Sequence, residues 1–160
     1  MNIRAKEKFI CFTARAQKEG THMADMTSEK VKKLLEEKDR LLRHFGMEVC
    51  ALNEGNATVR MTVKEEHLNA AQYCHGGVLF SLADVAFALA SNSYGKLAVA
   101  LDMSISFIKA VPPGAVLTAY CTERHRGKST GIYTIEIRDE EDNLVSLLKA
   151  TSFRVGTPIV

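Results

Sequence analysis

Asp84 sits where a carboxylate is costly, in the middle of SLADVAFALA, with apolar side chains at every helical offset except Ser81 and Ala88. Desolvating an ionised acid there is unfavourable by several kcal/mol unless something pairs with it. Such a residue is either a working base or nucleophile, or a structural acid that is capped or exposed at an interface. Upstream, His75-Gly76-Gly77 opens the same helical run. At a helix N-terminus the first backbone N–H groups lack intrahelical partners, and the dipole favours negative charge, so developing charge can be held there. Glycine lets a carbonyl approach the backbone closely, although a tight loop-to-helix turn would use the same residues. An oxyanion donor and a carboxylate are two of the parts acyl transfer needs. Eight residues of helix span about 12 Å, so one copy cannot bring both groups to one carbonyl. A dimer placing the Gly76 end of one copy beside Asp84 of the other would do so.

Other candidates are weaker. Cys74-His75 pairs a thiol with an imidazole, but chain neighbours rarely face each other and no acid is placed to orient the ring. His22, His44, His67 and His125 show no metal-ligand spacing, so no metal site is expected. Phosphate-loop, dinucleotide and nucleophile-elbow patterns are absent from the sequence. HRGKST, residues 125–130, places two cations and two hydroxyls on a turn. That would suit a phosphate-bearing ligand, and equally a solvated loop.

These groups need a scaffold. Val31, Leu34, Leu35, Leu41, Leu42 and Phe45 recur at helical spacing, predicting one amphipathic helix over residues 28–45, with Ser28 as cap and Gly46 as stop. MEVCAL and ATVRMTV flank the turn residues NEGN, a hairpin pattern, and the loop EEHLNAAQYC follows, carrying Asn69. VLFSLADVAFALASNS is apolar on almost every side, which predicts a helix buried all round inside an enclosing sheet. Leu101, Met103, Ile105 and Phe107 alternate with Asp102, Ser104 and Ser106 as in a half-buried strand. After Pro112-Pro113-Gly114, AVLTAYCTER, GIYTIEIR and LVSLLKATSFRV form consecutive hairpins. The result is an α+β domain in which an antiparallel sheet of five or six strands curls round a central buried helix, with an extra N-terminal helix. Such a sheet leaves an edge strand and a helix flank uncovered, so edge-to-edge dimers are expected.

A chain of 160 residues fits one domain. The reading is an N-terminal appendage over residues 1–22, which need not be ordered, and a single domain over 23–160. Lys and Arg total 21 against 19 Asp and Glu, and that near balance argues against a nucleic-acid partner. Cys11, Cys50, Cys74 and Cys121 are too sparse for a disulfide scaffold, and no apolar run is long enough to span a bilayer. A cytoplasmic protein with reduced thiols and no membrane partner is the expectation.

HGGVLFSLADVAFALASNSYG, ALDMSISFIKA and RHRGKSTGIYTIEIRDE together resemble the hotdog thioesterases of the phenylacetate-degradation (PaaI-like) type, over about residues 47–156. The resemblance implies hydrolysis of an acyl-CoA thioester by homodimers paired into dimers of dimers, with coenzyme A as part of the substrate and no separate cofactor. It implies Asp84 as base or nucleophile, Gly76 as the backbone donor to the thioester oxygen, and Asn69 as an aid in orienting that carbonyl. It further places His75, Gly77, Phe107, Lys109, Arg126, Gly127, Lys128, Ser129, Thr130 and Arg154 against the substrate. Ala100 stands where some relatives carry a serine that assists the water. A non-catalytic acyl-CoA binding or sensing module is the alternative of another class; a hotdog dehydratase or hydratase would require His75 to work on the acyl chain.

Overall fold

Alternating apolar residues build six strands: β1 (Glu48–Asn53), β2 (Asn56–Thr62), β3 (Lys96–Phe107), β4 (Val116–Arg126), β5 (Thr130–Arg138) and β6 (Leu144–Pro158). In this computed structural model, which describes residues 26–160, they form one antiparallel sheet in the order β1-β2-β4-β5-β6-β3. The appendage expected over residues 1–22, with Cys11 and His22, lies outside the described residues. In β5, Tyr133, Ile135 and Ile137 are buried while Thr134, Glu136 and Arg138 lie on the outer side, the alternation expected of a sheet with one covered face.

β3 does not pair with β4, its neighbour in sequence. It crosses to the far edge and, among the described residues, pairs only with β6, with Ile105 opposite Leu148. The loop containing Pro112-Pro113-Gly114 explains the crossing. Gly114 donates its N–H to the Val63 carbonyl at 2.8 Å and Ala115 accepts from Val63 N–H at 2.9 Å, which starts β4 beside β2. β3 is therefore an edge strand, and Val99, Leu101 and Phe107 on it are large apolar side chains left exposed.

The curled sheet wraps α3 (Gly76–Asn92). Leu82, Ala83, Ala86, Phe87, Leu89 and Ala90 are fully buried, and Phe87 meets Tyr133 edge to face at 5.2 Å between ring centroids. Each large apolar side chain so buried stabilises the fold by about 1.5–3 kcal/mol. The expectation that α3 is buried all round is not met in one chain. Gly77, Ser81, Asp84 and Ala88, spaced one turn apart, form a stripe that the sheet does not cover.

The single N-terminal helix expected over residues 28–45 is instead two. α1 occupies residues 26–38 and α2 is Arg40–His44. Asp39 leaves helical geometry (φ −73°, ψ 110°), and its carboxylate accepts from Leu41 N–H at 2.9 Å and Leu42 N–H at 3.2 Å, capping α2. Ser28 is not a cap. It lies buried within α1 and donates to the Ser93 carbonyl at 3.3 Å, fastening α1 to the end of α3. No helix among the described residues is long and apolar enough to cross a membrane.

Asn92, buried at the end of α3, pairs with Ala98 as a strand would: Ala98 N–H donates to Oδ1 at 2.9 Å and Nδ2 donates to Ala98 C=O at 3.1 Å. Asn92→Ala would leave both backbone groups unsatisfied, so urea unfolding should show a loss of about 2–4 kcal/mol. A loss below about 0.5 kcal/mol would mean that this pairing does not hold β3 to the helix.

Candidate active site

Of the first N–H groups of α3, all but one are satisfied. His75 is the N-cap, and its Nδ1 accepts from Gly77 N–H at 2.9 Å. The His75 carbonyl accepts from Val78 N–H at 2.9 Å and from Leu79 N–H at 3.2 Å. Gly76 N–H has no partner among the described residues. The His75 ring is thus held by the backbone as a cap, which fixes where the remaining donor points. Two further bonds fasten the loop ahead of it: His75 N–H donates to the carbonyl of buried His67, and Cys74 N–H to that of Val111, both at 2.8 Å.

Asn69 is fixed by its own loop. Its Oδ1 accepts from Ala71 N–H at 2.9 Å and Tyr73 N–H at 3.2 Å, so its amide Nδ2 is the end left to donate outward. Gln72, with φ 64° in the left-handed region, closes that loop by donating to the Asn69 carbonyl at 3.0 Å. Asn69 and Gly76 both line a cavity of about 350 Å³, together with Tyr73, Leu79, Phe107 and Lys109. The glycine at 76 has a second cause that the sequence conceals: a Cβ there would lie 2.9 Å from Cζ of Phe107, whose ring lies against the start of the helix. Cys74 also lines the cavity, but burial pushes its thiol up to about 11, which leaves little thiolate for nucleophilic attack.

Asp84 does not line this cavity. It is half-buried on the uncovered stripe of α3, and its carboxylate has neither hydrogen bond nor ion pair among the described residues. Burial, and after it the negative charge of Asp39, raise its pKa above the ordinary aspartate value. Asp39 is the residue that sequence reasoning missed. It lies within a charged helical run, and only the break between α1 and α2 turns it into a cap charge acting on Asp84.

The third group of residues lies near the other end of α3. Gly127 N–H donates to the Thr130 carbonyl at 2.9 Å, closing a tip made of the exposed Lys128 and Ser129. Arg126 stacks over Tyr94, 3.5 Å from the ring centroid, and the Tyr94 hydroxyl donates to Glu123 at 2.6 Å. Arg154 points into the turn itself, its Nη2 donating to the carbonyls of Gly127 and Thr130. Lys109 is engaged with Asp139 at 2.6 Å. Lys128 is the one cation of the turn and its surround that has no partner among the described residues. One chain therefore gathers Asn69, Gly76, Phe107 and Lys109 at one cavity, and holds Gly77 and Asp84, and then the turn, elsewhere along α3.

The thioesterase superfamily model matches residues 71–146. The acyl-coenzyme A thioesterase PaaI of Escherichia coli is 45% identical over 77% of this chain and 88% of its own length. The structure of the Escherichia coli PaaI protein from the phenylacetic acid degradation operon superposes with a TM-score of 0.82 at 41% identity, over 84% of this chain and 98% of that one. A hypothetical thioesterase protein of Streptococcus pneumoniae, solved with coenzyme A, matches with a TM-score of 0.68 at 30% identity, over 70% of this chain and 90% of that one.

The electrostatics around Asp84 can be tested without any ligand. Because burial and Asp39 both oppose ionisation, carbon-detected NMR should show the Asp84 carboxyl titrating above the ordinary aspartate range. Asp39→Asn removes one of the two causes, and the midpoint should move down. An unmoved midpoint would show that the Asp39 charge is screened from Asp84.

Proposed function

The chain belongs to the thioesterase superfamily, in the PaaI-like branch of the hotdog thioesterases, and on that premise we propose that it hydrolyses an acyl-CoA thioester to the free acid and coenzyme A. One observation carries the reading: the single unpartnered N–H of the α3 N-terminus, on Gly76, borders the same cavity as the outward-facing amide of Asn69. Two donors bordering one cavity suit a carbonyl oxygen that gains negative charge, a stabilisation of several kcal/mol where water is excluded.

The thioester carbonyl lies in this cavity with its oxygen on Gly76 N–H and Asn69 Nδ2. Asp84 takes a proton from water, whose oxygen adds to the carbonyl carbon. The tetrahedral intermediate then collapses, the C–S bond breaks, and the departing thiolate of coenzyme A takes up a proton. The raised pKa of Asp84 makes it a stronger base than an ordinary aspartate, which suits it to take this proton. Direct attack would pass through an anhydride, and only that route, by water adding to the Asp84 carbonyl of the anhydride, can carry solvent oxygen into the Asp84 side chain. A single turnover in ¹⁸O-labelled water should leave Asp84 unlabelled.

Asp84 belongs to a second copy of the chain. The exposed edge of β3, with Val99, Leu101 and Phe107, and the uncovered stripe of α3 are the two surfaces a homodimer would bury. An antiparallel arrangement puts Asp84 of one copy beside Gly76 of the other, and dimers of dimers are a further step of the same reading.

Asp84→Asn should lower kcat about 10²–10⁴-fold, as loss of a general base does. A carboxylate whose pKa is raised on folding destabilises the folded state above that pKa, so Asp84→Asn should also keep or raise the melting temperature at neutral pH. Near-normal kcat in the folded variant would remove Asp84 from the mechanism. Mixing it with Gly76→Pro, which deletes one N–H at a helical position that accepts proline and also presses a Cβ on Phe107 of the same copy, gives heterodimers with one intact site each. These should recover activity toward acyl-CoA; well-formed heterodimers that stay inactive would exclude a shared site.

A further inference from the structure

Three of the four carbonyl oxygens in the 127–130 turn are held by one residue. Arg154 Nη2 donates to the carbonyl of Gly127 and, at 2.9 Å, to that of Thr130, while Arg154 N–H donates to the Ser129 carbonyl at 2.8 Å. The remaining guanidinium nitrogen, Nη1, is buried and has no partner among the described residues. This arm cannot swing out to a phosphate without breaking both of its bonds and leaving the Gly127 carbonyl unsatisfied, while the Thr130 carbonyl keeps only the Gly127 N–H. A group committed in this way supports the turn from beneath and leaves contact with ligand to what the turn displays: Lys128, Ser129 and Thr130.

We propose that Arg154 is a positioning residue for coenzyme recognition, holding the tip of the β4–β5 hairpin in the conformation that presents Lys128 and the hydroxyls of Ser129 and Thr130 to the nucleotide phosphates of coenzyme A. This rests on the acyl-CoA reading above and changes the part Arg154 plays in it, from ligand to support. The physical reason is preorganisation. A two-residue polar tip with glycine beside it has few contacts of its own, and without an anchor the cost of ordering it falls on binding. A planar fork fits two neighbouring carbonyls at once, which a lysine ammonium on a flexible stem does less well. The guanidinium charge also lies beneath the turn and adds to the potential that Lys128 offers an anion.

The test uses the full-length protein with an acyl-CoA and with the same acyl group on a short thiol that lacks the nucleotide. Arg154→Ala should raise KM for the CoA ester about tenfold, with kcat and the short ester within about twofold of wild type, because a turn that acts on the nucleotide supplies uniform binding. Arg154→Lys should recover part of the loss. The distinguishing measurement is the double variant. If Arg154 works through the turn, adding Lys128→Ala to Arg154→Ala should cost little more, because the displaced lysine has already lost its place. Fully additive losses would show Arg154 contacting the coenzyme independently and overturn the proposal, as would an equal loss on both esters or no change in KM. Titration calorimetry with free coenzyme A repeats the comparison without turnover. A wild type that binds coenzyme A but hydrolyses neither ester would overturn the thioesterase reading and leave the Arg154 effect measurable.

Discussion

The 17 residues of α3 are too apolar to lie on a surface, and taking them out of water shapes the rest of the molecule. One six-stranded sheet can curl far enough to cover most of the helix, with Tyr133, Ile135 and Leu148 from the strands packed into the same core as Leu82, Phe87 and Leu89. It cannot close completely, because β1 and β3 remain as edges and the stripe from Gly77 to Ala88 faces the opening. The incomplete wrap is what leaves a polar residue tolerable at position 84. A closed barrel round α3 would have buried Asp84 among apolar side chains with nothing to pair it.

The chemistry proposed for the site grows out of what the helix leaves over. Every α-helix begins with N–H groups that need partners, and here the His75 side chain and carbonyl satisfy those of Gly77, Val78 and Leu79. The donor that stays unsatisfied is at the residue where a side chain would strike Phe107. One glycine thus admits an aromatic wall against the backbone and leaves an N–H pointing past it. The Asn69 loop follows the same logic: its side-chain oxygen is tied to backbone donors, so the amide nitrogen is the end left free on a residue that lines the cavity.

Charges are handled in contrasting ways along the chain. Asp39 caps a short helix and thereby brings a second negative charge to bear on Asp84, so a local folding need tunes a distant acid. At the hairpin tip the opposite sign prevails. Arg126 is drawn onto Tyr94 and Arg154 onto backbone carbonyls, and Lys128 is left exposed without a partner among the described residues. Of three cations that composition alone makes equivalent, two are occupied by the fold.

Much was already determined by residue order. Alternation in β5 and β6, the glycine-rich start of α3 and the central Asp84 are local patterns, and period and spacing are properties of a chain that survive without a fold. The family resemblance carried by the HGG-to-Asp84 segment belongs to the same level. Tertiary structure decided the rest. Strand β3 crosses to β6 because the loop through Gly114 binds Val63, and pairing across such distances has no signal in sequence. The helix expected to run unbroken from Ser28 parts at Asp39, where a side chain outcompetes the backbone by choosing the next helix's N–H groups. Ser28 itself turns to Ser93, 65 residues away. Sequence names which groups can accept or donate; which partner each one finds depends on where the sheet delivers it, since a hydrogen bond is decided within a few tenths of an ångström and only a folded chain fixes distances that finely.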